Sequence, residues 1–353
     1  MNLDFWKDKR VFITGHTGFK GGWTVLWLKK LGATVKGYSL EPNTTPALFD
    51  IVSIAEGIES EFGDVRNLDA LKKSVLTFSP DIVIHMAAQA LVRDSYNDPV
   101  ATYQINVLGT VNLLEAVRVC PSVKAVVNVT TDKCYENNEW VWGYREDEPM
   151  GGHDPYSSSK GCSELVTSAY RKSFFENSIV SLGSARAGNV IGGGDWSKDR
   201  LIPDSLMAFE KKETVVIRNP LAIRPWQHVL EPISGYLTLA EKLYVSGKSF
   251  AEGWNFGPRD EDAKSVGEVL DYLVENWPTK VSWIYSDTEQ PHEAQLLKLD
   301  ISKASARLKW EPKWDLSKTL NSIIEWHEAF ILGADMNEFT LNQITNYEDN
   351  FRN

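Results

Sequence analysis

The chain has 353 residues, of which 42% are hydrophobic and 24% charged, enough for one large domain or two moderate ones with an ample core. Its formal net charge of -11 argues against a nucleic-acid surface and an anionic membrane face, while leaving room for a local basic pocket that takes a phosphate. The opening MNLDFWKDKR is polar, and the longest apolar stretch, near 81–92, is interrupted by His85 and Gln89, so neither a signal peptide nor a membrane span is expected and a cytoplasmic protein is.

Residues 10–14 (RVFIT) predict a short strand, Gly15-His16-Thr17-Gly18-Phe19-Lys20-Gly21 follows at once, and 23–31 has helical spacing that Gly32 ends. Strand, glycine loop and helix in that order point to dinucleotide binding. The glycines let the backbone turn tightly and let a pyrophosphate approach, and the helix start offers unpaired N–H groups and a positive dipole end. A second strand is expected at 34–40. The usual fingerprint ends such a strand on an acid that holds the ribose hydroxyls. Tyr38 and Ser39 stand there instead, Glu41 is the nearest acid, and no arginine awaits a 2′-phosphate, which favours NAD over NADP.

The alternation continues with a strand at 58–62 closing on Gly63-Asp64-Val65, a helix at 68–78, a buried strand at 81–87, a long helix at 99–119 containing Asn106, a strand at 124–131, a helix at 156–175 and a strand at 178–186. Near-continuous apolar strands separated by helices predict a Rossmann-type doubly wound parallel sheet covered on both faces. Ligands of such sheets sit beyond the carboxyl ends of the strands, and Gly15, Asp64, Ala87, Asp132 and Ala187 fall there.

After Arg186 the pattern loosens. Gly192 to Trp196 reads as loop, and helices are expected at 202–212, 233–245, 266–277 and 316–330. A dinucleotide-binding domain over 1–187, rejoined near 226–256, and a smaller mixed α/β substrate domain within 188–353 follow. The tail beyond Gly333 is polar and reads as poorly packed. Cys120, Cys134 and Cys162 lack metal-ligand spacing and read as thiols in a reducing compartment; no metal is expected.

The chemistry concentrates between 128 and 160. Thr130-Thr131-Asp132-Lys133 ends an apolar run, and Tyr156 and Lys160, four apart, share one face of a helix. A neighbouring ammonium favours the ionised tyrosine, so Tyr156 suits the removal of a proton from a sugar hydroxyl. Asp132 and Lys133 suit an acid and base pair, provided that burial raises the first and lowers the second. His16, His153 and His327 read as structural or solvated, and Trp196 and Trp226 as core residues within reach of a base.

Taken together, GxxGxxG at Gly15, Gly18 and Gly21, His85-Met86-Ala87-Ala88, Asn106-Val107-Leu108-Gly109-Thr110, Tyr156 with Lys160, Arg186 to Gly192 and Arg224-Pro225-Trp226 resemble the extended short-chain dehydrogenase/reductase family over roughly residues 9–330. Thr-Thr-Asp before Tyr135 looks like its nucleotide-sugar 4,6-dehydratases. Lys133, where most of those have Glu, together with Phe19 to Trp23, Thr131 to Tyr135 and Gly193 to Trp196, looks like the branch that acts on CDP-glucose in deoxysugar biosynthesis of the O-antigen type. A 4-epimerase, or a dehydratase of another nucleotide sugar, is the alternative.

The resemblance implies NAD held by Gly15, Thr17, Gly18, Phe19, Lys20, Asp64, Val65, Ala87, Asn106, Tyr156, Lys160 and Arg186. It implies a nucleotide sugar along Gln89, Thr131, Asn189, Arg200 and Leu201, its diphosphate on Arg224, and further contacts from His292 and Glu293. Catalysis would fall to Thr131, Asp132, Lys133, Tyr156 and Lys160, with Glu136 as the other candidate base. It also implies pairing through the 99–119 and 156–175 helices into a homodimer or homotetramer.

Overall fold

The computed structural model describes residues 1–286 and 296–351. Six strands, β1 (Arg10–Thr14), β2 (Thr34–Ser39), β3 (Glu59–Phe62), β4 (Ile82–His85), β5 (Ala125–Val129) and β6 (Ser181–Ala187), are joined by a seventh, Gly253–Phe256, which pairs with β6. All pairs are parallel, and the spatial order 3-2-1-4-5-6 is that of a doubly wound sheet. The winding reverses between β1 and β4, the point where sheets of this kind form their ligand crevice, at the carboxyl ends.

Alternation along each strand builds two cores. Val11, Ile13, Ile82, Ile84, Ala125 and Val127 face one layer, with Trp23 to Leu28 of the helix Phe19–Lys30, Ile233 to Leu243 of the helix Leu230–Ser246, and Ile344. Phe12, Val83 and Val126 face the other, with Leu71 and Val75 of Leu68–Phe78, Leu113 and Val117 of Gly109–Arg118, and Val166 of Pro155–Ser173. Period two on a doubly covered sheet requires this division. A third cluster joins the helices Leu201–Glu210, Val266–Asn276 and Leu316–Ile331 around Trp226. It forms the smaller unit beside the crevice.

Two expectations need correction. The long helix is interrupted by a wider turn at Gln104–Leu108, between Pro99–Tyr103 and Gly109–Arg118. This is the local irregularity that often accompanies function, and it carries Asn106. The tail is not poorly packed: Met336–Glu348 is a helix whose Met336, Ile344 and Tyr347 are buried. Its polar residues are bonded inside, since Glu348 pairs with Lys30 and accepts from Trp27 Nε1 at 2.8 Å, and Tyr347 donates to the buried Glu231 at 2.5 Å. Polarity therefore did not mean exposure.

Candidate active site

The glycine loop is built by glycine against backbone. Gly15 has φ of +81°, and a Cβ there would lie 2.7 Å from Ala87 N. A Cβ on Gly21 would lie 2.0 Å from the Gly15 carbonyl oxygen. Gly18 precedes the helix Phe19–Lys30 without a side-chain cap, so the N–H groups of the first turn are left to a ligand. This cradle fits a dinucleotide pyrophosphate. Gly21→Ala must displace backbone, and calorimetric titration should show NAD bound at least about tenfold more weakly, a loss of ~1.4 kcal/mol; unchanged affinity would remove the loop from the cofactor site.

Around the cradle, Thr17 Oγ1 donates to the Leu40 carbonyl at 2.9 Å and bonds Ser39 Oγ at 2.8 Å. Asp64 is held below the usual carboxylate range by its fork to Arg66, and Val65 packs under Gly109. Ala87 N–H donates to Thr14 Oγ1 at 3.2 Å. Lys20 is drawn into the crevice, where burial first, then Arg200 and Lys160, pull its ammonium down to about 7. Asn106 ties three elements together. Its Oδ1 accepts from Gln89 N at 2.9 Å, while its Nδ2 donates to the Gln89 carbonyl at 3.0 Å and to Ser159 Oγ at 2.8 Å.

Tyr156 and Lys160 sit at the start of Pro155–Ser173, which Asp154 caps through Ser157 N at 2.9 Å and Pro155 opens. Both are buried, and Lys160 Nζ donates to the Val129 carbonyl at 3.3 Å. Burial lowers Lys160 to about 8, against the pull of Glu164. Burial pushes the Tyr156 phenol up to about 12, against the lowering effect of Thr131, which corrects the expectation of an ionised tyrosine: desolvation outweighs the neighbouring charges. The turn Asp132–Cys134 leaves the end of β5, with Thr131 Oγ1 donating to Asp132 Oδ1 at 2.9 Å. Asp132 is 2% exposed, and burial raises its pKa despite Lys133 and the Thr131 bond. Its other oxygen rests on Gly188, where a Cβ would come within 2.8 Å. A buried carboxyl with a raised pKa, a half-buried lysine and a phenol thus lie beyond the sheet's carboxyl ends, groups of the kind that an elimination needs.

Residues 12–323 match the GDP-mannose 4,6 dehydratase family. The chain belongs to that family. It is 57% identical over 352 residues to the CDP-glucose 4,6-dehydratase of Salmonella typhimurium, covering 98% of each chain. It is 26% identical to the dTDP-glucose 4,6-dehydratase of Shigella flexneri, over 79% of this chain and 81% of that one. In fold it is similar to a dTDP-glucose 4,6-dehydratase from Bacillus anthracis, solved in complex with NAD, at 21% identity and a TM-score of 0.75 over 91% of this chain and 96% of that one.

Within this dehydratase-family site the expected residues are not all equally placed. Arg200 reaches the crevice and bonds Asp195 at 3.1 Å; its charge is felt by Lys20 and Tyr156. Arg224 lies on the short strand Ile223–Pro225, where its charge is felt by Asp132. The Asn189 carbonyl accepts from Gln227 N at 3.1 Å, and Leu201 opens its helix. The Gln89 amide is folded onto the Leu91 backbone. Glu136 is exposed, and its carboxylate lies by Gly151 and His153. His292 and Glu293 lie outside the described residues.

The Arg186 side chain does not face the crevice as a cofactor ligand would. It forks onto the buried Glu164 with two bonds of 2.9 Å and donates to Tyr135 Oη at 2.6 Å. Glu164 also accepts from Thr130 at 2.5 Å and Ser184 at 2.6 Å, so the end of β5, β6 and the helix Pro155–Ser173 are locked together. Trp196 and Trp226 are core residues: the first packs on Trp326 and Phe330, and the second donates to the Lys264 carbonyl at 3.0 Å. The sequence reading missed Glu164 and Gly188. Glu164 was detectable, since it lies four beyond Lys160 and eight beyond Tyr156 on one helical face. No local signal marks Gly188.

Proposed function

We propose that this chain is an NAD-dependent hydro-lyase that converts CDP-glucose to CDP-4-keto-6-deoxyglucose. The observation that carries the reading is the buried Asp132, whose pKa burial raises, beside Lys133 on the turn that leaves β5. The identity with the Salmonella enzyme over the whole chain supports the substrate. NAD, when bound, takes the hydride from carbon 4 and returns it to carbon 6. Tyr156, with Lys160 beside it, removes the carbon-4 hydroxyl proton, and Thr131 hydrogen-bonds the same oxygen. Lys133 takes the carbon-5 proton, and Asp132 protonates the departing carbon-6 hydroxyl. Arg224 holds the diphosphate, for which a guanidinium fork is suited. Arg200, Asn189, Leu201 and Gln89 flank the nucleotide.

We place the enzyme in the cytoplasm, which its three free thiols suit; among the described residues no helix is long and apolar enough to cross a membrane. Exposed Val100, Tyr103, Leu108 and Leu165 lie on the interrupted helix and on Pro155–Ser173, which supports their pairing into a homodimer or homotetramer.

The test offers CDP-, dTDP-, UDP- and GDP-hexoses to the purified protein with NAD in deuterated water and weighs the products. Loss of one water with one deuterium gained, for CDP-glucose alone, is the expected result. Unchanged mass with an inverted carbon-4 centre would make it an epimerase instead.

A further inference from the structure

Resting on the dehydratase reading above, we infer that the buried Glu164–Arg186 ion pair is a clamp for the elimination step: it grips the turn bearing Asp132 and Lys133 at both ends and fixes it against the helix bearing Tyr156 and Lys160. Thr130 and Tyr135 are then positioning residues that act through the turn. The turn is weakly held by itself. Asp132–Cys134 is a single turn of three residues. The backbone N–H groups that close it make long bonds, Tyr135 N to the Asp132 carbonyl and Lys133 N to Thr131 Oγ1, both at 3.4 Å, beyond the usual N–H···O range. An acid and a base that act on neighbouring carbons need a firmer frame, since a displacement of about 1 Å can cost roughly a hundredfold in rate.

Both ends of the turn lead to the same ion pair. At the start, Thr130 Oγ1 donates to Glu164 Oε1 at 2.5 Å, and Thr130 N–H donates to the Ala185 carbonyl at 2.8 Å. At the finish, Tyr135 Oη accepts from Arg186 Nη1 at 2.6 Å. A guanidinium has no acceptor, so the phenol proton turns to Asn255 Oδ1, 2.7 Å away on the strand Gly253–Phe256. Between the two ends, Arg186 Nε and Nη2 fork onto the two Glu164 oxygens at 2.9 Å each. Thr130, Tyr135, Glu164 and Arg186 are all buried, where a charge-assisted, two-pronged bond is strong and fixes geometry. Glu164 lies one turn beyond Lys160 and two beyond Tyr156 on the helix Pro155–Ser173. One carboxylate therefore ties the hydride-transfer pair to the elimination pair. The turn also lies close against that helix: a Cβ on Gly161 would come within 2.8 Å of the Gly151 carbonyl oxygen and 3.4 Å of that of Cys134.

Tyr135→Phe deletes one hydroxyl and keeps the ring, with its stack on Tyr144 at 5.3 Å and the Arg186 guanidinium 5.0 Å from its centre. Thr130→Val cuts the other end and keeps the β-branched shape, and Thr130→Ser restores the hydroxyl. Each variant is mixed rapidly with CDP-glucose and NAD in deuterated water, and reduced-cofactor absorbance, product mass and melting temperature are followed. In Tyr135→Phe and in Thr130→Val the reduced-cofactor signal should rise at the wild-type rate, because Tyr156 and Lys160 sit on their own capped helix. It should then decay roughly ten- to a hundredfold more slowly, with deuterium uptake and water loss delayed alike. Thr130→Ser should behave as the wild type. Slowing of both steps by one factor in a folded variant, slowing of neither, or a split at one end of the turn alone would overturn the clamp. Should one variant fail to fold, the other decides; loss of the fold in both would make the pair a purely structural device and overturn the inference. Failure of the underlying reading looks different, because the wild-type protein itself would then lose no water from CDP-glucose.

Discussion

Tyr156→Phe is expected to remove product formation and reduction of the cofactor together. The phenol is the one proton acceptor proposed for the carbon-4 hydroxyl, and hydride cannot leave carbon 4 while that proton stays. Loss of a positioned general base costs roughly 10²–10⁴-fold in rate. The substitution removes a single oxygen from a side chain that is 8% exposed on a well-capped helix, so the fold should survive with its melting temperature little changed. Thr131 keeps its bond to Asp132. Reduced-cofactor absorbance and product mass would be followed on the same sample. Cofactor reduced at the wild-type rate would take Tyr156 out of the base role.

Lys133→Met should separate the steps. Hydride transfer from carbon 4 is assigned in the proposal to Tyr156 and Lys160, so the reduced-cofactor signal should still rise. Abstraction at carbon 5 should fall by roughly 10²–10⁴-fold, the usual range for a lost general base. In deuterated water the recovered sugar should then carry no deuterium at carbon 5, and water loss should stop. Undiminished exchange would exclude Lys133. Glu136→Gln is the matched control. Its exposed carboxylate sits by Gly151 and His153, so its rates should stay near wild type.

The sheet was legible because its signals are local. Strand ends estimated from apolar runs fell within about three residues of those observed, as for β5, expected at 124–131 and found at Ala125–Val129. The glycine loop, the Tyr156–Lys160 spacing and the Thr-Thr-Asp-Lys run needed only neighbours to be recognised. The helix after the glycine loop starts at Phe19, four residues earlier than its apolar spacing suggested, because Gly21 and Gly22 are tolerated in a turn packed against the loop itself.

What the chain order could not reveal was who meets whom inside. Arg186 looked like a cofactor ligand at a strand end, yet Glu164, on a helix crossing beneath β6, takes its guanidinium. The tail looked like solvent-facing polar chain, yet Glu231, Trp27 and Lys30 receive its polar groups. The sequence alone determined the doubly wound sheet and made the glycine loop, the Tyr156–Lys160 pair and the Asp132–Lys133 pair recognisable as candidates, since periodicity and short spacing act between adjacent residues. Only the tertiary structure decided that Asp132 is buried with its pKa raised and that Thr131 donates to it. Desolvation is the sum of everything packed around a group, and the residues that bury Asp132, Gly188 and Pro225 among them, stand more than fifty positions away along the chain.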